Sequence, residues 1–113
     1  MPRERRLPGD PLVFIQACVR RRRLLWTYHV NLRLVGRFIP RQAMLDAVET
    51  FELVEAYPDD KYLPSHLVLG RAGADALHVL FATDVESDNV RVVTAYRPDP
   101  VEWQDDLKTR RQS

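Results

Sequence analysis

The sequence predicts an α+β domain in which three N-terminal helices pack on a four-stranded antiparallel sheet, with one more helix at the C-terminus. Apolar residues recur with helical spacing up to about residue 50, and short β-branched or aromatic runs separated by turns follow. The 113 residues can bury one hydrophobic core. We therefore expect a single domain over residues 10–113, preceded by a mobile basic arm over residues 1–9, which are rich in proline, glycine and arginine.

Each of the three predicted helices begins at a residue suited to a helix start. Asp10 can cap the first helix with Pro11 at its first position, and Thr27 and Pro40 open the second and third. The four arginines at 20–23 suit the negative end of the first helix dipole, and contacts with RNA explain them about as well. The predicted ranges are about 10–22, 27–38 and 40–50, with "LLWT" as the turn between the first two helices.

Four strands are predicted after residue 50, because the pattern changes there from helical to extended. The turns between them are typical of an antiparallel meander. Residues 99–110 begin with Asp and Pro and are predicted to form the last helix. The strands are "FELVEAY" (51–57), "HLVLGR" (66–71), "ALHVLFATD" (76–84) and "NVRVVTAY" (89–96).

The composition is that of an ordinary globular protein, with 45% hydrophobic and 29% charged residues. No apolar run approaches the roughly 18 residues that span a bilayer, and the N-terminus carries no signal-peptide cleavage pattern. We therefore expect a cytoplasmic protein without a membrane partner. Cys18 is the only cysteine and has apolar neighbours, so a core position is expected for it.

The charges are divided unequally along the chain. Residues 1–41 contain ten arginines and two acidic residues, a net charge of +8, whereas residues 42–113 contain seven basic and fourteen acidic residues, a net charge of −7. Such a division suggests a basic face for RNA, and arginine can hold a phosphate with two hydrogen bonds. Arg22 and Arg23, at the end of the first helix, are candidate RNA contacts within this basic half.

The second predicted helix carries His29, Arg33 and Arg37 at four-residue intervals. At about 100° per residue, the three side chains fall within about 80° of one another and form one basic row. Apolar residues fill the opposite side of this helix: Val30, Leu32, Leu34, Val35, Phe38 and Ile39.

The basic row combines residue types that can cleave RNA through its own 2′-hydroxyl, which requires a base and cations around the phosphate. His29 lies in the first helical turn, where the dipole and two arginines favour the neutral imidazole that acts as a base. Arg33 and Arg37 would neutralise charge that builds on the phosphate. The alternative for His29 is a capping or half-buried helix histidine.

Four further residues are candidates for the same site. Tyr96 and Arg97 follow the last strand, where Tyr96 could stack on a base or donate a proton and Arg97 could hold a phosphate. Packing of Tyr96 on Trp103 is the alternative. Lys61 could join the site if its loop folds over it, and His78, in the third strand, is either a core histidine or an RNA contact.

Motifs for metal and nucleotide sites are missing from the sequence. The three histidines are isolated, no second thiol exists, and neither a P-loop nor a GxGxxG motif is present. We therefore expect neither a metal nor another cofactor.

The motif H-x3-R-x3-R followed by I-P, then "EAYPDD", "LVLG", "LHVL" and "VVTAYRPD" with Trp103 beyond, resembles a small bacterial family catalogued as a domain of unknown function. That family is grouped with RelE-like and BrnT-like toxins and is often encoded beside a YgiT/MqsA-type zinc-finger antitoxin. The resemblance covers about residues 12–105 and implies a RelE-like fold and a ribonuclease toxin inhibited by a partner. The residues that match the family pattern are His29, Arg33, Arg37, His78, Tyr96 and Pro98.

We therefore expect a metal-independent endoribonuclease toxin of a type II toxin–antitoxin system, with mRNA at the ribosome as one candidate substrate. The expected partners are RNA, the ribosome and a cognate antitoxin of the CxxC zinc-finger kind. The alternative is a non-catalytic module that binds RNA or protein with the same basic helix face.

Overall fold

The computed structural model of the protein describes residues 6–112. Three α-helices and five strands follow one another, with a short 3-10 helix at Val48–Thr50 before the second strand. The helices are α1 (Pro11–Arg20), α2 (Tyr28–Gly36) and α3 (Arg41–Asp46), and the strands are β1 (Leu24–Trp26), β2 (Glu52–Tyr57), β3 (Ser65–Ala72), β4 (Asp75–Asp84) and β5 (Asn89–Tyr96).

The helix starts agree with the predicted caps. The Asp10 carboxylate accepts a hydrogen bond from the backbone N–H of Val13 at 3.1 Å, and the Thr27 hydroxyl accepts one from Val30 at 3.1 Å. The predicted mixed α and β architecture is confirmed, as are the four antiparallel strands from β2 to β5. The predicted third helix is shorter than expected, because α3 ends at Asp46 and the chain tightens into the 3-10 helix.

A fifth strand was not predicted. The sheet order is β1-β5-β4-β3-β2, and β1 pairs parallel to β5 through Leu24, Leu25 and Trp26, the residues read as a turn in the sequence. Three residues are too short for a periodic signal, and their strand conformation depends on a partner about 65 positions later in the chain. The prediction of a turn at this point was wrong.

The prediction of a C-terminal helix was also wrong. Residues 99–112 form turns joined by one isolated bridge between Trp103 and Arg110. The Asp106 carboxylate accepts hydrogen bonds from the backbone N–H groups of Lys108 and Thr109, and Leu107 has a positive φ of 59°. A side chain that binds the local backbone in this way favours a turn over a helix.

The two faces of the sheet are covered differently. The helices cover the face that carries Leu77, Val79 and Phe81, where the main core lies. Gly70 belongs to this face, and an added Cβ there would lie 2.9 Å from Phe51 Cε1, so the close approach requires glycine. The opposite face is covered by the C-terminal segment through Trp103, whose side chain is 1% exposed.

The predicted arm over residues 1–9 lies partly outside the described residues, since its first five positions are not described. Within the part that is described, Pro8 is buried while Arg6, Leu7 and Gly9 are exposed. The mobility of the arm stays a prediction.

Candidate functional site: the basic edge of helix α2

The basic row lies on α2 where this helix runs beside β5. The short strand β1 pairs with only Val90 to Val92 of β5, and α2 follows β1 directly and packs against β5. Beyond Val92, no strand of the described chain pairs with β5 on that side. The helix therefore lies next to backbone that would otherwise form an open sheet edge.

His29 and Arg33 are the accessible members of the row. Both side chains are exposed, and within residues 6–112 neither makes a hydrogen bond or ion pair. The only ring contact of His29 in that range is with its neighbour Tyr28, whose ring centroid lies 6.4 Å away. Because they are one helical turn apart, the imidazole and the guanidinium project from the same side of α2. Both groups are thus available to a ligand.

Arg37 and Arg97 hold the end of α2 against β5 in a reciprocal way. Nη1 of Arg37 donates to the Ala95 carbonyl at 2.7 Å and to the Thr94 hydroxyl at 3.2 Å. In return, Arg97 donates to the carbonyl oxygens of Arg37 at 2.8 Å and Phe38 at 3.1 Å. These two carbonyls lie at the C-terminal end of α2, where a cation is favourable. The structure thus brings both candidate arginines together, with their nitrogens partly engaged by the protein.

An exposed apolar surface borders the basic row. Tyr28, Leu32 and Val35 fall within about 60° on α2, and Phe38, two residues after the helix ends, is exposed as well. We call these four residues the apolar stripe; they are 74%, 53%, 76% and 84% exposed in chain order. Six apolar residues were predicted to lie opposite the basic row. Three of them are buried, namely Val30, Leu34 and Ile39.

Asn31 interrupts the apolar pattern of α2 for a structural reason. Its side-chain oxygen accepts two hydrogen bonds from the Arg41 guanidinium, one of them from Nε at 2.9 Å. The same guanidinium lies 4.8 Å from the ring centroid of Trp26. Arg41 therefore connects β1, α2 and α3, and it adds a cation on the side of the apolar stripe away from the basic row.

Tyr96 and His78 form a hydrogen-bonded pair on the sheet face opposite the helices. The two are register partners in β5 and β4, and the Tyr96 hydroxyl lies 3.3 Å from His78 Nδ1. His78 Nε2 is 2.7 Å from the Leu107 carbonyl, so Nε2 carries the hydrogen and Nδ1 accepts one from Tyr96. Burial lowers the pKa of His78 and raises the pKa of Tyr96, so both groups stay neutral around pH 7. His78 thus has the saturated contacts of a core histidine.

A cluster that no sequence pattern predicted closes around this pair. The His78 ring packs edge-on against Trp103 with centroids 4.5 Å apart, and the Arg110 guanidinium lies 4.6 Å from the Trp103 centroid. Arg110 also donates two hydrogen bonds to Glu55, at 2.9 and 3.0 Å, which lower the pKa of that carboxyl. Because the His78–Trp103 and Glu55–Arg110 contacts join residues 25 and 55 positions apart, no local pattern in the sequence could reveal them.

The remaining candidate residues, Arg22, Arg23 and Lys61, are not part of α2 or of the His78–Tyr96 pair. Arg23 donates to the carbonyl oxygens of Asp88 at 2.6 Å and Ser87 at 3.1 Å and so binds the turn between β4 and β5. Arg22 donates to the Val19 carbonyl at the end of α1. Lys61 lies in the loop between β2 and β3 beside the Tyr62 ring. The structure thus does not group Arg22 and Arg23 with the basic row.

The described residues contain neither a cluster of metal ligands nor a membrane-spanning helix. In residues 6–112, no three His, Cys, Asp or Glu side chains are close enough to hold a metal ion together. No helix in the same range is long and apolar enough to cross a membrane.

A family model described as "Domain of unknown function (DUF4258)" matches residues 26–97. The matched segment contains α2, the whole antiparallel sheet and the candidate residues from His29 to Arg97. Arg22, Arg23 and Trp103 lie outside it. No curated protein and no solved structure matches the chain.

Proposed function

The chain belongs to the DUF4258 family, and from this premise we propose that it is a ribonuclease toxin of a type II toxin–antitoxin pair that cleaves RNA without a metal. One observation supports the proposal above the others. His29 and Arg33 lie one turn apart on α2, exposed and without polar partners among the described residues. An imidazole beside a guanidinium offers both a proton acceptor and a phosphate contact. The family that the sequence resembles is grouped with RelE-like and BrnT-like toxins, and this grouping supports the same proposal.

The proposed reaction is an internal transesterification. His29 takes the proton of a ribose 2′-hydroxyl, and the 2′-oxygen forms a bond to the adjacent phosphorus. The bond from phosphorus to the 5′-oxygen breaks, which leaves a 2′,3′-cyclic phosphate on one product and a 5′-hydroxyl on the other. The leaving oxygen takes a proton from water, and His29 returns its own proton to solvent. Arg33 stabilises the charge on the phosphorane.

Arg37 and Arg97 act around this centre as supporting cations. Arg37 uses one terminal nitrogen for β5, so Nε and the second terminal nitrogen keep N–H groups for a phosphate. Arg97 holds the end of α2 and also pairs with Asp75 at 3.3 Å. The Tyr96 hydroxyl donates to His78, so water, and not Tyr96, protonates the leaving oxygen.

RNA products test the proposed chemistry directly. We expect the purified chain to cleave single-stranded RNA in the presence of EDTA and to leave 2′,3′-cyclic phosphate and 5′-hydroxyl ends. The matched substrate with 2′-deoxyribose at every position should stay intact, because it lacks the nucleophile. End mapping of RNA, with and without ribosomes, provides the measurement. Intact RNA under both conditions would refute a ribonuclease.

A non-catalytic RNA-binding module is the second candidate, and one observation favours it. The Tyr96 hydroxyl, the candidate acid, is directed to His78 and not to solvent. Such a module would bind RNA with an affinity that falls with salt, by a log–log slope of about −0.7 per phosphate contacted on a single strand, and would release no products.

The proposed antitoxin binds the apolar stripe of α2 through an acidic amphipathic segment. Monomeric proteins rarely expose such a set of neighbouring apolar side chains unless a partner uses it. The stripe is bordered by His29 and Arg33 on one side and by Arg41 on the other, so a segment with acidic edges would match its charge. A segment that covers the stripe would also cover His29 and would thereby block access of RNA to it.

A negative charge introduced into the apolar stripe should leave the toxicity of the chain unchanged but prevent its neutralisation by the antitoxin. We expect Val35→Glu to arrest growth as the unchanged chain does, because Val35 is exposed and lies outside the basic row. Co-expression of the product of the adjacent reading frame should rescue cells with the unchanged chain and fail with Val35→Glu, while Val101→Glu, at an equally exposed position, should still be rescued. Equal rescue of both variants would contradict docking on the stripe.

A further inference from the structure

A cavity of about 420 Å³ lies at the N-terminal end of α2. Thr27, the residue that caps the helix, lines it, and His29 follows two residues later. The buried side chains of Ala82 and Val92 form an apolar floor, and the loop between β2 and β3 contributes Lys61 and Tyr62 to the wall. The volume falls in the range of about 300 to 1,000 Å³ that is usual for ligand pockets.

The cavity combines an accessible aromatic ring with two cations and one carboxylate, that of Asp60, which accepts hydrogen bonds from the Lys61 backbone N–H and the Ser65 hydroxyl. Tyr62 is 83% exposed, and Lys61 Nζ lies 5.3 Å from the centroid of its ring. Arg91 enters from β5 and is held by one hydrogen bond to Asp84 at 3.2 Å. Within residues 6–112 the other nitrogens of Arg91 make no hydrogen bond, so they can donate to a ligand. An aromatic ring flanked by cations is how proteins bind single-stranded nucleic acid without reading its sequence.

We propose that this cavity is a subsite for one nucleotide of single-stranded RNA, next to the nucleotide that is cleaved at His29. The base stacks on Tyr62 above the apolar floor, and Lys61 and Arg91 hold the flanking phosphate. The inference rests on the proposed function, because the subsite would add binding energy for the RNA strand that His29 and Arg33 cleave. A strand that occupies the subsite reaches the first turn of α2, because Thr27 belongs to both.

The subsite can be tested by binding, independently of cleavage. Adenosine 5′-monophosphate, titrated into the 15N-labelled chain, should shift the amide signals of Thr27, residues 61–63 and residues 91–93. Tyr62→Ala should weaken binding of a six-nucleotide single-stranded RNA about 5- to 150-fold, the effect of losing one base–aromatic stack. Tyr62 is exposed, so this change should not unfold the protein. Val101→Ala, which shortens an equally exposed apolar side chain outside the cavity, the basic row and the apolar stripe, is the control and should bind unchanged.

The outcomes separate the subsite from the proposed function. If Tyr62→Ala binds RNA as tightly as the unchanged chain while that chain cleaves RNA, the subsite is wrong and the ribonuclease stands. If the unchanged chain cleaves no RNA and the nucleotide still shifts the cavity amides, the subsite stands and the ribonuclease is wrong. Signals that do not move at millimolar nucleotide overturn the subsite. Arg91→Ala gives a second measure, since loss of one phosphate contact should reduce the salt slope by about 0.7.

Discussion

His29→Ala should lower the rate of RNA cleavage by about 10²- to 10⁴-fold, the usual contribution of a positioned proton-transfer group. The loss should appear in the rate of the chemical step and leave RNA affinity nearly unchanged, because Arg33 and the other cations remain. His29 is exposed and bonds to no described polar group, so the variant should unfold at the same denaturant concentration as the unchanged chain. Single-turnover cleavage with a labelled RNA measures the effect.

Two further variants show whether the effect of His29→Ala is specific to the imidazole. Arg71→Ala removes another exposed arginine, on β3, whose guanidinium makes no hydrogen bond within the described chain, and should cleave at the normal rate. Arg33→Ala should reduce both affinity and rate, since a phosphate contact acts before and during the reaction. A normal rate for His29→Ala would eliminate it as the base and leave RNA binding as the function of the row.

Trp103→Ala should lower the free energy of unfolding by about 3 to 5 kcal/mol, the range typical of a large core aromatic. The Trp103 ring is almost fully buried and joins the C-terminal segment to the sheet through His78 and Arg110. A domain of ordinary stability has about 5 to 15 kcal/mol in total, so this single change removes a large fraction. Urea denaturation followed by far-UV circular dichroism is the suitable measurement, since it does not depend on the lost indole.

Trp103→Phe should retain most of that stability. The indole Nε1 is buried without a hydrogen-bond partner in residues 6–112, so phenylalanine loses ring volume and no polar contact. Val101→Ala, two residues earlier and 80% exposed, should be close to neutral. A loss below about 1 kcal/mol for Trp103→Ala would contradict this account, because it would mean that the C-terminal segment is not part of the cooperative fold.

The candidate site was predictable to different degrees along the chain. The four-residue spacing of His29 and Arg33 predicts that both side chains lie on the same side of one helix. This could be predicted because helical periodicity and helix caps depend only on nearby residues. That Arg97 binds the Arg37 carbonyl and Arg37 binds the Ala95 carbonyl could not be inferred, because these contacts join positions 60 and 58 apart. The cavity beside Lys61 likewise depends on a loop and a strand that are distant in the sequence.

By itself, the sequence determined where α1 and α2 begin, which segments form the strands β2 to β5, and that one helix carries a basic row. Each follows from residues within a few positions of one another. Only the tertiary structure decided that β1 is a strand, that residues 99–112 are not a helix, and that Leu32, Val35 and Phe38 face solvent. The reason is physical: the conformation of a short segment and the burial of a side chain depend on which distant element packs against them, and chain order does not specify that contact.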